Sequence, residues 1–84
     1  MESSINEYIS RELVNDPALL PLANDTSLME SNILDSVAFL NLVMFLEEQF
    51  GIHVNDWDLT RENFETVDAI AAFVRERQGD RVAL

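Results

Sequence analysis

At 84 residues, 48% of them apolar and none cysteine, the chain suits one domain over residues 1–84 and excludes disulfides, thiolate zinc sites and cysteine nucleophiles. Sixteen acids face five arginines, for a net charge of −11, so nucleic acid would be repelled and a basic protein surface attracted. The same self-repulsion favours a monomer. With no leader-like start and no apolar run of the roughly 18 residues a membrane span needs, a cytoplasmic protein without membrane contact is expected.

The first helix is expected to open at Ser4, which has Glu7 at capping-box spacing. Ile5, Tyr8, Ile9 and Leu13 recur at helical intervals, and Asp16-Pro17 disfavours continuation past Asn15. Residues 16–34 form a long connection punctuated by Pro17 and Pro21, with Leu19, Leu20, Leu22, Leu28 and Ile33 as anchors to a core. A second helix runs from Ser36 to Phe50, capped by Asp35 or Ser36 and stopped by Gly51.

Ile52-His53-Val54 alternates but is too short for a sheet. The polar stretch from Asn55 to Asn63 reads as a turn, with Trp57 as its partly buried anchor. A short helix is expected near Thr60 to Phe64. Thr66 then caps a last helix on which Val67, Ile70, Ala71 and Val74 share a face. Arg75 and Arg77 suit the dipole at its C-terminal end, and Gly79 ends it, leaving a frayed tail over 79–84. The expected fold is all-α: a small four-helix bundle of three main helices and one short helix, its core within residues 3–78, with a long loop between helices 1 and 2.

The second helix carries more apolar residues than one buried face needs. At about 100° per residue, Phe39, Leu42, Val43, Leu46 and Phe50 fall on one stripe, the expected core face. Val37, Leu40 and Met44 lie roughly opposite, bordered by Asn41, Glu47 and Glu48. Packing of that second strip under the long loop is one reading. A docking strip with an apolar centre and charged rim is the other, with methionine suited to varied partners. Ser36 opens the same helix. It reads either as an ordinary cap or as a place to hang a phosphate, where free N–H groups and the dipole favour an anion.

Leu34-Asp35-Ser36, "FLEEQFGI" over 45–52 and "NFETVDAIAAFV" over 63–74, in that order and spacing, resemble the acyl carrier protein family over residues 3–78. The resemblance implies that a phosphopantetheinyl transferase attaches 4′-phosphopantetheine from coenzyme A to Ser36, with Asp35 aiding recognition. It implies a docking face of Val37, Leu40, Asn41, Met44, Glu47 and Glu48, and a cargo cavity lined by Phe39, Leu46, Ile52 and Ile70. The terminal thiol of the arm would carry an acyl or aminoacyl thioester, and the protein would catalyse nothing itself. Its other partners would be a loading ligase, adenylating enzyme or acyltransferase, and downstream synthase or tailoring enzymes.

The sequence departs from many fatty-acid carriers at Ala38 and Asn41, where those hold acids, and at Val37, where they hold leucine. These departures resemble stand-alone carriers of specialised polyketide or nonribosomal-peptide biosynthesis. Housekeeping fatty-acid synthesis is the alternative, and an unmodified acidic interaction module is the alternative of another class.

Other chemistry fits less well. A Ser36 hydrolase would need a base, but His53 is the only histidine, sits between two apolar residues and reads as structural, and no nucleophile elbow is present. Asp56 and Asp58 could begin a calcium loop, but Arg61 and Val67 stand where glycine and glutamate are required, so no metal site is expected. The acid pairs Glu47-Glu48 and Asp56/Asp58 read as solvated faces, and no catalytic residue is assigned.

Overall fold

The first helix begins earlier than its capping signal suggests. α1 spans Glu2–Tyr8 with Met1 at its N-cap, so Ser4 and Glu7 lie inside the helix and form no capping box. It continues as a π-helical stretch, Ile9–Leu13, where the Val14 N–H donates to the Ile9 carbonyl at 3.0 Å. Four residues overshoot one α turn and undershoot one π turn. The wider stretch therefore brings Leu13 back to the side of Ile5 and Ile9, and all three are buried. The structure, a computed structural model, describes the backbone of residues 1–82 and the side chains of residues 1–79.

The connection from α1 to α2 is long but stitched down. Asp16 caps a single 3-10 turn, Pro17–Leu19, by accepting the Ala18 N–H at 2.9 Å. The Asn6 side-chain amide donates to the Leu22 carbonyl at 2.7 Å and to Asn24 Oδ1 at 2.8 Å. Further on, the Asp68 N–H donates to the Asn24 carbonyl at 3.0 Å, and the Leu28 N–H to the Glu65 carbonyl at 2.8 Å. These bonds supply partners to backbone that would otherwise be desolvated without compensation. They allow Leu22, Leu28 and Ile33 to be buried as expected, whereas Leu20 stays exposed.

α2 spans Ser36–Phe50, the bounds read from the sequence. Gly51 ends it with φ 64° and ψ 34°, the left-handed conformation that glycine adopts without a Cβ penalty. Its core face is turned from the expected one. Ala38, Leu42 and Leu46 are buried, while Phe39, Val43 and Phe50 are half-buried. The cause lies on α1: Tyr8 stacks on Phe45 with centroids 4.0 Å apart and planes 12° from parallel. Cover on that flank shifts the buried direction toward Ala38. A helical wheel of α2 alone contains no information on where α1 sits.

A 3-10 turn, Asp56–Asp58, precedes the short helix α3, Arg61–Phe64, where the Thr60 hydroxyl accepts the Asn63 N–H at 3.4 Å. Trp57 in that turn is exposed, contrary to its reading as a partly buried anchor. The anchor is its neighbour Asp58, which is buried. Phe64 is fully buried and joins the layers, its ring 4.9 Å from Phe39 and 5.6 Å from Phe73.

α4 spans Val67–Val82 and packs against α1, α2 and α3. Thr66 caps it as expected, its hydroxyl accepting the Ala69 N–H at 3.0 Å. Gly79 does not end it. A glycine stops a helix only by turning left-handed; kept helical it costs about 1 kcal/mol against alanine, and α4 runs on to Val82. Of the tail expected over 79–84, residues 83–84 lie outside those described. Among the described residues there is no strand, and the fold is a small all-α bundle.

Candidate functional site

Ser36 is the first residue of α2 and is exposed. The cap is Asp35, whose carboxylate accepts the Ala38 N–H at 2.8 Å while its carbonyl accepts the Phe39 N–H at 2.8 Å. Capping by Asp35 leaves the serine hydroxyl uncommitted: it makes no hydrogen bond among the described residues. The hydroxyl therefore stands at the positive end of a 15-residue helix with nothing to displace before it can be esterified. A phosphodiester there suits the dipole, although the Asp35 carboxylate beside it already uses one of the first-turn donors.

The second apolar strip of α2 faces solvent. Val37 is 70% exposed, Leu40 60% and Met44 53%, so packing under the long loop is overturned. That loop is anchored on the α1 and α4 sides, through Asn6, Glu65 and Asp68. Asn41 and Glu48 are exposed beside the strip, with the Asn41 carbonyl accepting the Tyr8 hydroxyl at 3.3 Å.

Two positions differ from their sequence reading. Glu47 is not a free rim acid, because its Oε2 accepts the Val54 N–H at 2.9 Å and lies 3.4 Å from His53 Nδ1. It ties the returning loop to α2. Ala38 is buried, so a methyl packed toward the core stands where many fatty-acid carriers hold an acid.

His53 itself is exposed, while Ile52 and Val54 on either side are buried. Its structural role is the contact with Glu47, outside the core. No sequence periodicity pointed to the Glu47 link, since it depends on how the chain turns back after Gly51.

Of the proposed cavity lining, Leu46 and Ile70 are fully buried, Ile52 is buried and Phe39 is half-buried against Phe64. An open groove of about 400 Å³ lies elsewhere, between α1 and α2, lined by Tyr8, Arg11, Glu12, Phe45 and neighbours. In that groove the Tyr8 phenol is pushed above its ordinary value, first by burial and then by the charge of Glu12. Among the described residues no helix is long and apolar enough to cross a membrane.

No protein-family model matches the chain. Curated proteins do. A probable acyl carrier protein PigG of a Serratia species is 31% identical over 89% of this chain and 85% of its own length. A D-alanyl carrier protein of Lactococcus lactis is 36% identical over 67% of this chain and 71% of its own. An acyl carrier protein of Rickettsia typhi is 27% identical over 93% and 86% respectively. These relatives are carriers and not enzymes. Among solved structures, a chain in the crystal structure of an FAD-dependent dehydrogenase superposes with a TM-score of 0.76 at 28% identity, covering 83% of this chain and 97% of that one.

Proposed function

Since the chain belongs to the acyl carrier protein family, we propose that Ser36 is where its prosthetic arm is attached. The observation that carries this reading is the exposed, uncommitted Ser36 hydroxyl at the head of α2, beside the exposed strip Val37–Leu40–Met44. A phosphopantetheinyl transferase would bring coenzyme A. The Ser36 oxygen would attack the phosphorus next to the pantetheine, its proton would pass to a base of the transferase, and the nucleotide half of coenzyme A would leave. When bound, the arm supplies a terminal thiol that holds an acyl or aminoacyl group as a thioester. The chain's own residues do the rest. Asp35 caps α2 and so leaves the Ser36 hydroxyl free, and Val37, Leu40, Met44, Asn41 and Glu48 present the surface on which enzymes dock. Glu47 supports that face by holding the loop to α2.

For the pathway, we favour specialised biosynthesis over fatty-acid synthesis, in the cytoplasm. The probable carrier PigG supports this, and the D-alanyl carrier protein supports an aminoacyl cargo; an adenylating enzyme is the loading partner we propose for it. The chain similar to this one in the dehydrogenase structure is itself of carrier size, because 97% of it is covered. An FAD-dependent dehydrogenase acting on the tethered cargo is therefore the downstream partner we propose.

The test is direct. Apo-protein incubated with coenzyme A and a promiscuous phosphopantetheinyl transferase should gain one pantetheinyl mass, and Ser36→Ala should gain none. An unmodified wild type would return the chain to the class of plain interaction modules. Efficient malonyl loading with elongation to a fully reduced acyl chain, in place of amino-acid loading, would reject the specialised pathway.

A further inference from the structure

Trp57 is the single tryptophan of the chain and is 76% exposed, with Leu59 43% exposed two residues on. Tryptophan is on average highly buried, so one held in water is informative. Slackness of the loop does not explain it. Asp58, between the two, is fixed on every side. Its carboxylate accepts the Asn55 N–H at 2.9 Å and pairs with Arg77 at 2.5 Å. Its carbonyl accepts the Thr60 N–H at 2.8 Å and the Asn63 side-chain amide at 2.9 Å. The backbone on both sides of Trp57 is thus set before any partner arrives, which lowers the ordering cost of using the indole as an anchor. The bond from Val54 to Glu47 shows the loop running back beside the C-terminal half of α2. Trp57 therefore belongs to a different segment from Ser36 and the strip that follows it, one that runs back along α2 from Glu47 to Phe64, whose ring lies 4.9 Å from Phe39.

We propose that Trp57 with Leu59 is a second docking anchor, and that its occupant is an FAD-dependent dehydrogenase presenting an apolar slot flanked by arginine or lysine. The inference rests on the carrier reading and on the partner proposed with it. Charge complementarity supports the slot's rim: Asp56 and Glu62 are exposed in the same segment, on a chain of net charge −11. An apolar aromatic centre with a charged rim is the arrangement of an interface hot spot. One strip on α2 holds a partner but allows it to pivot; a second point of attachment fixes the angle at which the arm from Ser36 enters an active site.

The experiment uses the pantetheinylated chain and, as probe, the dehydrogenase of the crystal structure that contains the 28%-identical chain. Binding should shift the Trp57 emission to the blue and shield it from iodide. By calorimetry, Trp57→Ala should weaken binding by roughly tenfold or more, Trp57→Phe should restore part of it, and Leu20→Ala should leave it unchanged. Added salt should weaken wild-type binding. The thermal midpoint of Trp57→Ala should match wild type, so that lost folding is not mistaken for lost docking. Failure of the wild type to bind, or Trp57→Ala binding within about twofold of it, would overturn the anchor. Ser36 pantetheinylation is scored on every variant. If it persists while binding is unaffected by Trp57, the anchor falls and the carrier reading stands; if the wild type is not modified, the carrier reading falls.

Discussion

Arg77 of α4 closes on Asp58 of the turn after α2 at 2.5 Å, and its guanidinium lies 5.3 Å from the centre of the Phe73 ring. The dipole of α4 is only part of the reason for a cation near its end. The residue clamps the loop after α2 to α4. Asp58 is nearly enclosed and Arg77 is about a quarter exposed, so the pair is screened less than a surface pair but more than a fully buried one.

Breaking that clamp from one side should be costly. Arg77→Met is expected to lose about 2–3 kcal/mol, below the 3–5 kcal/mol of a fully buried pair, because it strands a carboxylate. Replacing both partners, Asp58→Leu with Arg77→Met, should recover much of the loss. Urea unfolding monitored by circular dichroism measures both. A single-variant loss under about 0.5 kcal/mol would place the pair with ordinary surface contacts.

The two faces of α2 should separate cleanly under truncation. Leu46 is fully buried and Leu40 is 60% exposed. Leu46→Ala is expected to cost about 2–5 kcal/mol, and Leu40→Ala to stay within about 0.5 kcal/mol of wild type. In the transferase assay, Leu40→Ala should raise KM while leaving the fold intact. A destabilised Leu40→Ala would restore that strip to the core.

Asp35 can be divided into cap and charge. Asp35→Asn keeps a side-chain oxygen for the Ala38 N–H, so stability should be nearly unchanged, whereas Asp35→Ala should cost about 1 kcal/mol. If the carboxylate also assists the transferase, both variants should be modified more slowly. If capping alone matters, only the alanine variant should differ.

Acid should loosen the start of α1. Arg75 donates to Glu2 at 2.6 Å and, with the backbone and the N-terminal amine, holds that carboxyl below its ordinary 4.5, against a smaller opposing effect of desolvation. A carboxyl lowered on folding adds stability above its unfolded value, and that contribution disappears as pH falls through the folded value, hence below 4.5. The pair is exposed, so the effect should be small and salt-sensitive. NMR titration should find Glu2 moving toward 4.5 in Arg75→Met and in high salt; no movement would remove Arg75 as the cause.

Local chemistry made much of this architecture readable from sequence. Gly51 must turn left-handed to end α2, Thr66 has a short hydroxyl to cap α4, and Leu42 and Leu46 recur at the helical interval. Those signals act within a few residues. What was misread depends on neighbours distant in sequence. Ala38 is inside because α1 covers the Phe45 flank; Glu47 is occupied because Val54 returns to it; Trp57 is outside because Asp58 took the buried place with Arg77. The strip Val37–Leu40–Met44 was visible as a surplus, yet its exposure could be decided only by where the long connection went.

That connection also decides where foreign sequence could be tolerated. The longest irregular stretch of a small protein is the usual choice for inserting a tag or a reporter. Here Asn24 and Leu28 lend backbone to Asp68 and Glu65, and Asn6 grips Leu22, so an insertion at 22–28 would sever three helices' worth of fastening at once. An engineer would do better to leave it whole and append cargo at a terminus, keeping the α1–loop–α4 strap as a single mechanical part.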